Sequence, residues 1–398
     1  MPGFELIGKE EEKEVMDVLA TGIFMRYGFA TERKGVFKVK EFEETFAKRC
    51  RAGHSLGVTS GSAALKVALT ALDVCPGDEV IVPAFDFIAT YEAVLEVGAI
   101  PVMAEIDESL NLDPGKMEEC ITPQTKAVIP VHMCGAAADI EAIVKVARRR
   151  NLSVLEDVAQ ACGGTFRGKA LGTFGDMGIF SFDYYKTITT GEGGMIITDS
   201  KSLYDRSDWY HDHGHDHNPN VGRADEGRSI LGFNFRMNEL QGALGLAQLR
   251  KLDFIVAEQR KNKARIKEVL KSVPGITFRK MFDAEGDTAT FLGFMLPDEK
   301  SARAFHGALK SEKVDAIYYR DNAWHWAPNW EHLIAHATAN SKYFPFSIHK
   351  GKVRYDAEMI PQSDRLIRRT IFFAVPVKLP EEKFASMAAG ITRAAKSL

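Results

Sequence analysis

From about Gly53 to Asp199, short runs of β-branched and apolar residues alternate with segments whose apolar positions recur at the helical period. Such alternation predicts an α/β layer with a mostly parallel sheet covered by helices. The strands are expected at Glu79–Pro83, Ile100–Ile106, Lys126–Val131, Ser153–Asp157, Gly178–Phe182 and Gly194–Thr198. Several of these runs have no polar alternation, as befits strands covered on both faces. Helices are expected at Ser62–Leu72, Ile88–Val97 and Asp139–Arg150, the last closing on a basic Arg148-Arg149-Arg150 run that suits a helix C-terminus. Around Arg236 the pattern becomes one long helical stretch that runs to a Pro274-Gly275 stop. Weaker strands follow at Phe291–Leu296 and Ile371–Val377. The pattern divides into a large domain over residues 1–250 and a smaller C-terminal α+β domain over 251–398, with no internal repeat and no low-complexity linker.

Composition narrows the class. Of 398 residues, 45% are hydrophobic and 26% charged, ordinary values for a folded globular chain. Lys+Arg 51 against Asp+Glu 54 leaves a net charge of -3, with no block of like charge to follow a phosphodiester backbone, so nucleic acid is not an expected partner. The five cysteines are scattered, without a Cys-x-x-Cys pair, which fits reduced thiols in a cytoplasm. The opening MPGFELIGKEEEKEVM is acidic where a secretory signal needs a basic start. The most apolar region, Ala127 to Val146, is interrupted by His132, Asp139 and Glu141, so no membrane association is expected.

Three segments can carry chemistry. Thr59-Ser60-Gly61-Ser62 precedes an Ala-rich helical run, and free N–H groups at a helix start can hold a phosphate; a plain Ser or Thr N-cap is the competing reading. Ser153–Asp157 delivers Glu156 and Asp157 to the carboxyl end of a strand, where open α/β sheets bind ligands. Adjacent strand residues face opposite ways, so the two are not an acid/base dyad, and Asp157 could equally cap the next helix. Gly178–Lys186 leads a strand out to a lysine, with Thr189-Thr190-Gly191-Glu192-Gly193-Gly194 next. A lysine desolvated in a crevice has a lowered pKa and condenses with aldehydes, whereas most lysines are solvated surface charges. The glycine-rich sequel favours close approach to a ligand or a tight turn.

The order and spacing of several motifs together resemble the DegT/DnrJ/EryC1/StrS family of pyridoxal-phosphate sugar aminotransferases, of fold type I. They are Thr-Ser-Gly-Ser-Ala-Ala-Leu (59–65), Glu-Val-Ile-Val-Pro (79–83), Pro-Val-His (130–132), Glu-Asp-Val-Ala-Gln-Ala (156–161), Ser-Phe-Asp-Tyr-Tyr-Lys (181–186), Gly-Glu-Gly-Gly (191–194) and Gly-Phe-Asn-Phe-Arg-Met-Asn-Glu-Leu-Gln (232–241). The resemblance implies pyridoxal 5'-phosphate as cofactor, bonded to Lys186, with Lys186 also the catalytic base. It implies Asp157 at the pyridine nitrogen, where a carboxylate keeps the ring protonated. Gln160 is implied at the ring hydroxyl, Phe87 against the ring face, and Gly61, Ser62 and Ser181 around the phosphate. Asn234 matches the residue that reaches the phosphate from the neighbouring subunit, which implies a homodimer.

Lysine at 186, where sugar dehydratases of the family carry histidine, implies transamination from L-glutamate to a keto-sugar. The run Gly245–Asp253, the opening Met1–Leu6 and the segment Asn322–Trp330 are similar to the members that make 8-amino-3,8-dideoxy-octulosonate. An acidic acceptor of that kind needs a cationic or N–H-rich contact, for which His213, His215, Arg236 and Arg320 are candidates. A nucleotide-linked 3- or 4-keto-deoxysugar is the alternative acceptor. The run His211-Asp212-His213-Gly214-His215-Asp216-His217 is read as a substrate-facing loop, and no metal is expected there, because Gly214 and Asn218-Pro219-Asn220 favour irregular backbone without a tetrahedral ligand pattern. A nicotinamide oxidoreductase is disfavoured by the absence of Gly-x-Gly-x-x-Gly after an early strand and of Tyr-x-x-x-Lys around Tyr184. A non-catalytic cofactor-binding regulator is disfavoured by the intact lysine, acid and glycine elements.

Overall fold

The computed structural model describes residues 3–218, 220–349 and 353–398. Met1 and Pro2 of the opening motif and Pro219 of the histidine-rich segment lie outside them. In chain order the elements are α1 (Lys9–Leu19), α2 (Lys38–Cys50), β1 (His54–Val58), α3 (Gly61–Ala71), β2 (Glu79–Pro83), α4 (Ile88–Glu96), β3 (Ile100–Ala104), α5 (Pro114–Glu119), β4 (Thr125–Val128), α6 (Ile140–Arg149) and β5 (Ser153–Asp157). A short hairpin β6 (Thr165–Phe166) and β7 (Lys169–Ala170), then β8 (Met177–Ser181), β9 (Gly194–Thr198) and α7 (Lys201–His211) complete the first half. The remainder is α8 (Glu239–Leu270), β10 (Thr277–Phe278), β11 (Phe291–Met295), α9 (Glu299–Ser311), α10 (Glu331–Ile334), α11 (Pro361–Ile367), β12 (Thr370–Ala374) and α12 (Glu381–Ala394).

A seven-stranded sheet in the order β1-β9-β8-β5-β4-β2-β3 forms the centre. The pairings from β3 through β8 are parallel, and β9 and β1 add on antiparallel. Strands β2, β8 and β9 are buried along their whole length, as their mainly apolar, non-alternating sequences lead one to expect. A second sheet, β10-β11-β12, is antiparallel and packs its apolar residues against α9, α12 and the end of α8 through Ile266, Leu292, Phe305 and Ile391. Helix α8 starts on a reciprocal cap in which Asn238 accepts from the Gln241 amide and Gln241 from the Asn238 amide. It runs unbroken from the large sheet's core, through Leu246 and Leu249, to that of the small sheet.

The chain between Tyr319 and Ile367 returns to the large sheet and buries Trp326, Trp330, Tyr355 and Ile367 in its core. No described helix is long and apolar enough to cross a membrane. The strands expected from the sequence are all present within two or three residues of their ends. Strand β1 and helices α1, α2, α7, α9 and α12 were not among the elements read from the pattern.

Candidate active site

The carboxyl ends of β5 and β8, the start of α3, the start of α4 and the segment 317–325 surround a cavity of about 640 Å³. Its position follows from topology: parallel strands point their C-termini, and the loops that carry polar side chains, at one edge of the sheet. Gly61, Ser62, Phe87, Asp157, Gln160, Ser181 and Lys186 all line it.

Strand β5 separates its two acids as pleating requires. Glu156 is turned away and fully buried, accepting from the amides of Gly172 (2.9 Å), Phe174 (2.6 Å) and Gly175 (2.7 Å) and pairing with His132 Nε2 at 3.1 Å. His132 Nδ1 accepts from the Ala138 amide, so its proton sits on Nε2 and is donated to Glu156. Asp157 faces the cavity. Its Oδ1 accepts from the Ala159 amide at 2.9 Å and its Oδ2 from Thr90 Oγ1 at 3.4 Å.

A second acid, Asp86, shares this cavity. One of its oxygens accepts from the Phe87 amide at 2.6 Å; Oδ2 is buried without a partner. Burial and the charge of Asp157 push Asp86 well above the usual carboxylate range. Burial also raises Asp157, opposed by the Ala159 amide and by Lys186. With more donors around it, Asp157 is the member that ionises and Asp86 the one that keeps a proton. Asp86 was missed as a site residue, although an acid between Phe85 and Phe87 directly after a buried strand was a readable signal.

Lys186 follows β8 after a turn closed by its own amide on the Asp183 carbonyl at 2.9 Å. Its carbonyl accepts from the Gly3 amide at 3.0 Å, and Phe4 stacks on Tyr184 with centroids 4.8 Å apart, so the opening residues brace the lysine from behind. A Cβ at Gly3 would lie 2.8 Å from the Thr189 nitrogen, which explains glycine there. Burial pushes the Lys186 amine below its usual range, against the opposing pull of Asp157 and Asp183. Its Nζ lies 5.8 Å from the centroid of the Phe87 ring. Trp324 stacks on the Phe87 ring at 5.9 Å and 9°. His325, pushed down to about 4 by burial and then by Lys186, is uncharged at neutral pH. Of the tryptophans in this segment, Trp326 and Trp330 are core and Trp324 is the exposed rim of the cavity.

The start of α3 suits a phosphate. Ser60 Oγ caps the helix by accepting from the Ala63 amide at 3.0 Å, which leaves the Gly61 and Ser62 amides for an anion. The N-cap reading holds for Ser60, and the amides it leaves over are those the phosphate reading needs. A Cβ at position 61 would meet Ser181 Cβ at 2.7 Å, so glycine is required for Ser181 to close against the helix start. Gln160 Oε1 accepts from the Cys134 amide at 3.1 Å, which leaves the side-chain NH₂ as its free end. The residues present thus fit pyridoxal 5'-phosphate: an anion cradle, an ionised acid, an orphaned buried acid, an aromatic face and a desolvated amine.

The other candidates lie outside their own chain's cavity. Asn234 is exposed, its backbone bridged to Asp212. His213 is exposed; His215 pairs with Glu226 at 2.6 Å; Arg236 pairs with Asp212; Arg320 pairs with Asp364 at 3.3 Å and donates to Asn329 at 3.3 Å.

A strand-end cavity with these groups defines a pyridoxal-phosphate-dependent aminotransferase of fold type I. The model of the DegT/DnrJ/EryC1/StrS aminotransferase family matches residues 5–385, and the chain belongs to that family. It is similar to the Spore coat polysaccharide biosynthesis protein SpsC of Bacillus subtilis, 38% identical over 78% of each chain. It is 45% identical to GDP-perosamine synthase of Caulobacter vibrioides over 54% of this chain, a match that spans 57% of that relative's length. Among solved structures, 3-amino-5-hydroxybenzoic acid synthase superposes with a TM-score of 0.82 and 27% identity, covering 98% of this chain and 97% of the other.

Proposed function

We propose that the chain transfers the amino group of L-glutamate to a keto- or aldehydo-sugar in amino-sugar biosynthesis. The observation that carries this reading is the convergence of Lys186, Asp157 and the start of α3 on one cavity. Pyridoxal phosphate, when bound, supplies an aldehyde carbon and an electron-withdrawing ring. Lys186 would hold it through its amine and, with that amine free, would serve as the base that takes the proton from the donor Cα at Nζ. Burial lowers its pKa, which raises the share of the unprotonated amine that both tasks need. Asp157 would keep a proton on the ring nitrogen, and the free NH₂ of Gln160 would donate to the ring hydroxyl. Gly61, Ser62 and Ser181 would hold the phosphate, and the Phe87 and Trp324 rings that line the cavity would limit water. Glutamate leaves as 2-oxoglutarate, and the same residues run the steps in reverse on the sugar carbonyl.

The acceptor we propose is 8-oxo-3,8-dideoxy-octulosonate, supported by the similarity of residues 245–253 and of the opening segment to enzymes that make the 8-amino sugar. The 45% identity to a GDP-perosamine synthase favours a second reading, a nucleotide-linked 4-keto-deoxysugar. The active form is a homodimer in which exposed Asn234 completes the phosphate site of the partner, and His213, His215, Arg236 and Arg320 are the cations and donors available to an acidic sugar. Loading the enzyme with glutamate and then offering both sugars in turn tests the reading. Rapid return of the original absorption spectrum with the octulosonate supports it, return only with the nucleotide sugar selects the second, and return with neither overturns both.

A further inference from the structure

We propose that Asp208, His211 and His217 form a binding site for a divalent transition-metal ion of the zinc class, separate from the cofactor cavity. One ligand atom from each lies within 4.8 Å of the others. Asp208 and His211 are three apart on the last turn of α7, which puts them on one helix face. The third ligand returns from the far end of the loop. The set does not follow the alternation of histidines along the chain: one member is an acid on α7 and only two are histidines of the His211–His217 run.

The tautomer of His211 is fixed by geometry. Its Nδ1 donates to the Asp208 carbonyl at 2.5 Å, so Nε2 presents a lone pair to the cluster, where the Tyr27 hydroxyl stands 3.1 Å away. A second-nitrogen bond to a carbonyl is the arrangement that orients metal-binding imidazoles. His217 Nε2 is buried with no hydrogen-bond partner, 3.7 Å from Asp208 Oδ1 and 3.6 Å from Asp212 Oδ2, its ring stacked on Tyr27 at 4.3 Å.

Charge supplies the second argument. The cations around the cluster are already matched: Arg26 to Glu43 at 2.6 Å, Arg223 to Asp212 at 2.8 Å, and Arg236 to Asp212. Asp208 meets only the imidazoles at 3.7 Å and the Tyr27 hydroxyl at 3.4 Å, with no Lys or Arg within salt-bridge distance among the described residues. The nearest cation acting on Asp208 is Arg26, which is already paired with Glu43, so this mostly buried carboxylate has no ion-pair partner of its own, and a divalent ion would provide one. Two imidazoles and a carboxylate suit zinc, with the fourth position left to water or Tyr27.

The ion would secure the loop that carries Asn234. The amide of Phe235 donates to the His211 carbonyl at 2.9 Å, that of His213 to Phe233 at 3.1 Å, and Asp212 bridges Asn234.

The test is zinc titration of the intact cofactor-loaded protein by calorimetry, with elemental analysis after desalting, on wild type and on His217→Ala, Asp208→Asn and His213→Ala. His211 is left alone because it is fully buried. One zinc per chain is expected, bound at least tenfold more weakly in His217→Ala and Asp208→Asn and unchanged in His213→Ala. Circular dichroism and the cofactor absorption verify that each variant is folded. No saturable zinc binding, binding unaffected by both cluster variants, or equal loss in His213→Ala overturns the proposal. Because the readout is metal content, the result stands whatever sugar the enzyme uses.

Discussion

The strand-end cavity and the loop from His211 to Arg236 are built on opposite principles. In the cavity, seven of the residues expected from the sequence converge, at the ends of β5 and β8, in the turns just after them (Gln160, Lys186) and at the starts of α3 and α4. In the loop, Asn234 and His213 face outward, while His215 and Arg236 are bound to acids of the same chain. Parallel-strand topology decides where the first group points, so order along the chain is enough to place it. The loop's side chains face solvent or join an ion-pair network within the loop, and neither follows from spacing.

Changes in the cavity should therefore be felt most. Lys186→Ala is expected to lower the transamination rate by about 10²–10⁴-fold or more, the scale of a lost proton-transfer group, with the fold unchanged by circular dichroism. Retained activity would place the catalytic amine elsewhere. Gly61→Ala drives a methyl onto Ser181 Cβ, at 2.7 Å in the present backbone. Overpacking of that kind costs roughly 1–3 kcal/mol, which predicts cofactor binding about 10- to 100-fold weaker by fluorescence titration.

Loop changes act across subunits if the dimer is shared. Asn234→Ala should weaken cofactor binding by about tenfold, the worth of one hydrogen bond to a charged group. Mixing it with Lys186→Ala should restore activity, since a mixed dimer has one site free of both defects. Mixtures no more active than the parents would confine each site to one chain.

The smallest effect expected is in pH dependence. Asp86 titrates above its unfolded value because burial and Asp157 disfavour its charge. The unfolded chain therefore loses that proton first, and stability of the cofactor-free protein falls as pH rises from about 4 through the raised pKa. Asp86→Asn should flatten the slope, so that the variant gains on wild type between pH 5 and pH 8 in thermal melts. An unchanged slope would remove Asp86 from the account.

What was legible in the sequence was whatever a local pattern determines. The apolar run Ser153–Asp157 placed Asp157 at a strand end, and Gly61 marked a helix start. Strand β1 escaped because His54-Ser55-Leu56-Gly57-Val58 has polar and glycine positions inside a strand that pairs antiparallel with β9, from far along the chain. Helix α7 escaped because it has little apolar face to read, with only Ser207 and His211 buried. Asp86, Trp324 and His325 come together only when the segment from Tyr319 folds back over Phe87, through the Asp86 amide on the His325 carbonyl at 3.0 Å. The division at residue 250 falls inside unbroken α8, and Trp326, Trp330, Tyr355 and Ile367 pack in the large sheet's core, so spatial grouping departs from chain order.

The central claim is that the desolvated amine of Lys186 bonds to the cofactor. Borohydride reduction of the purified protein, followed by proteolysis and mass spectrometry, addresses it directly. The account predicts a single added pyridoxyl phosphate on the peptide containing Lys186 and loss of the visible absorption band. A modified lysine elsewhere in the chain, or a cofactor that washes away unreduced, would contradict it.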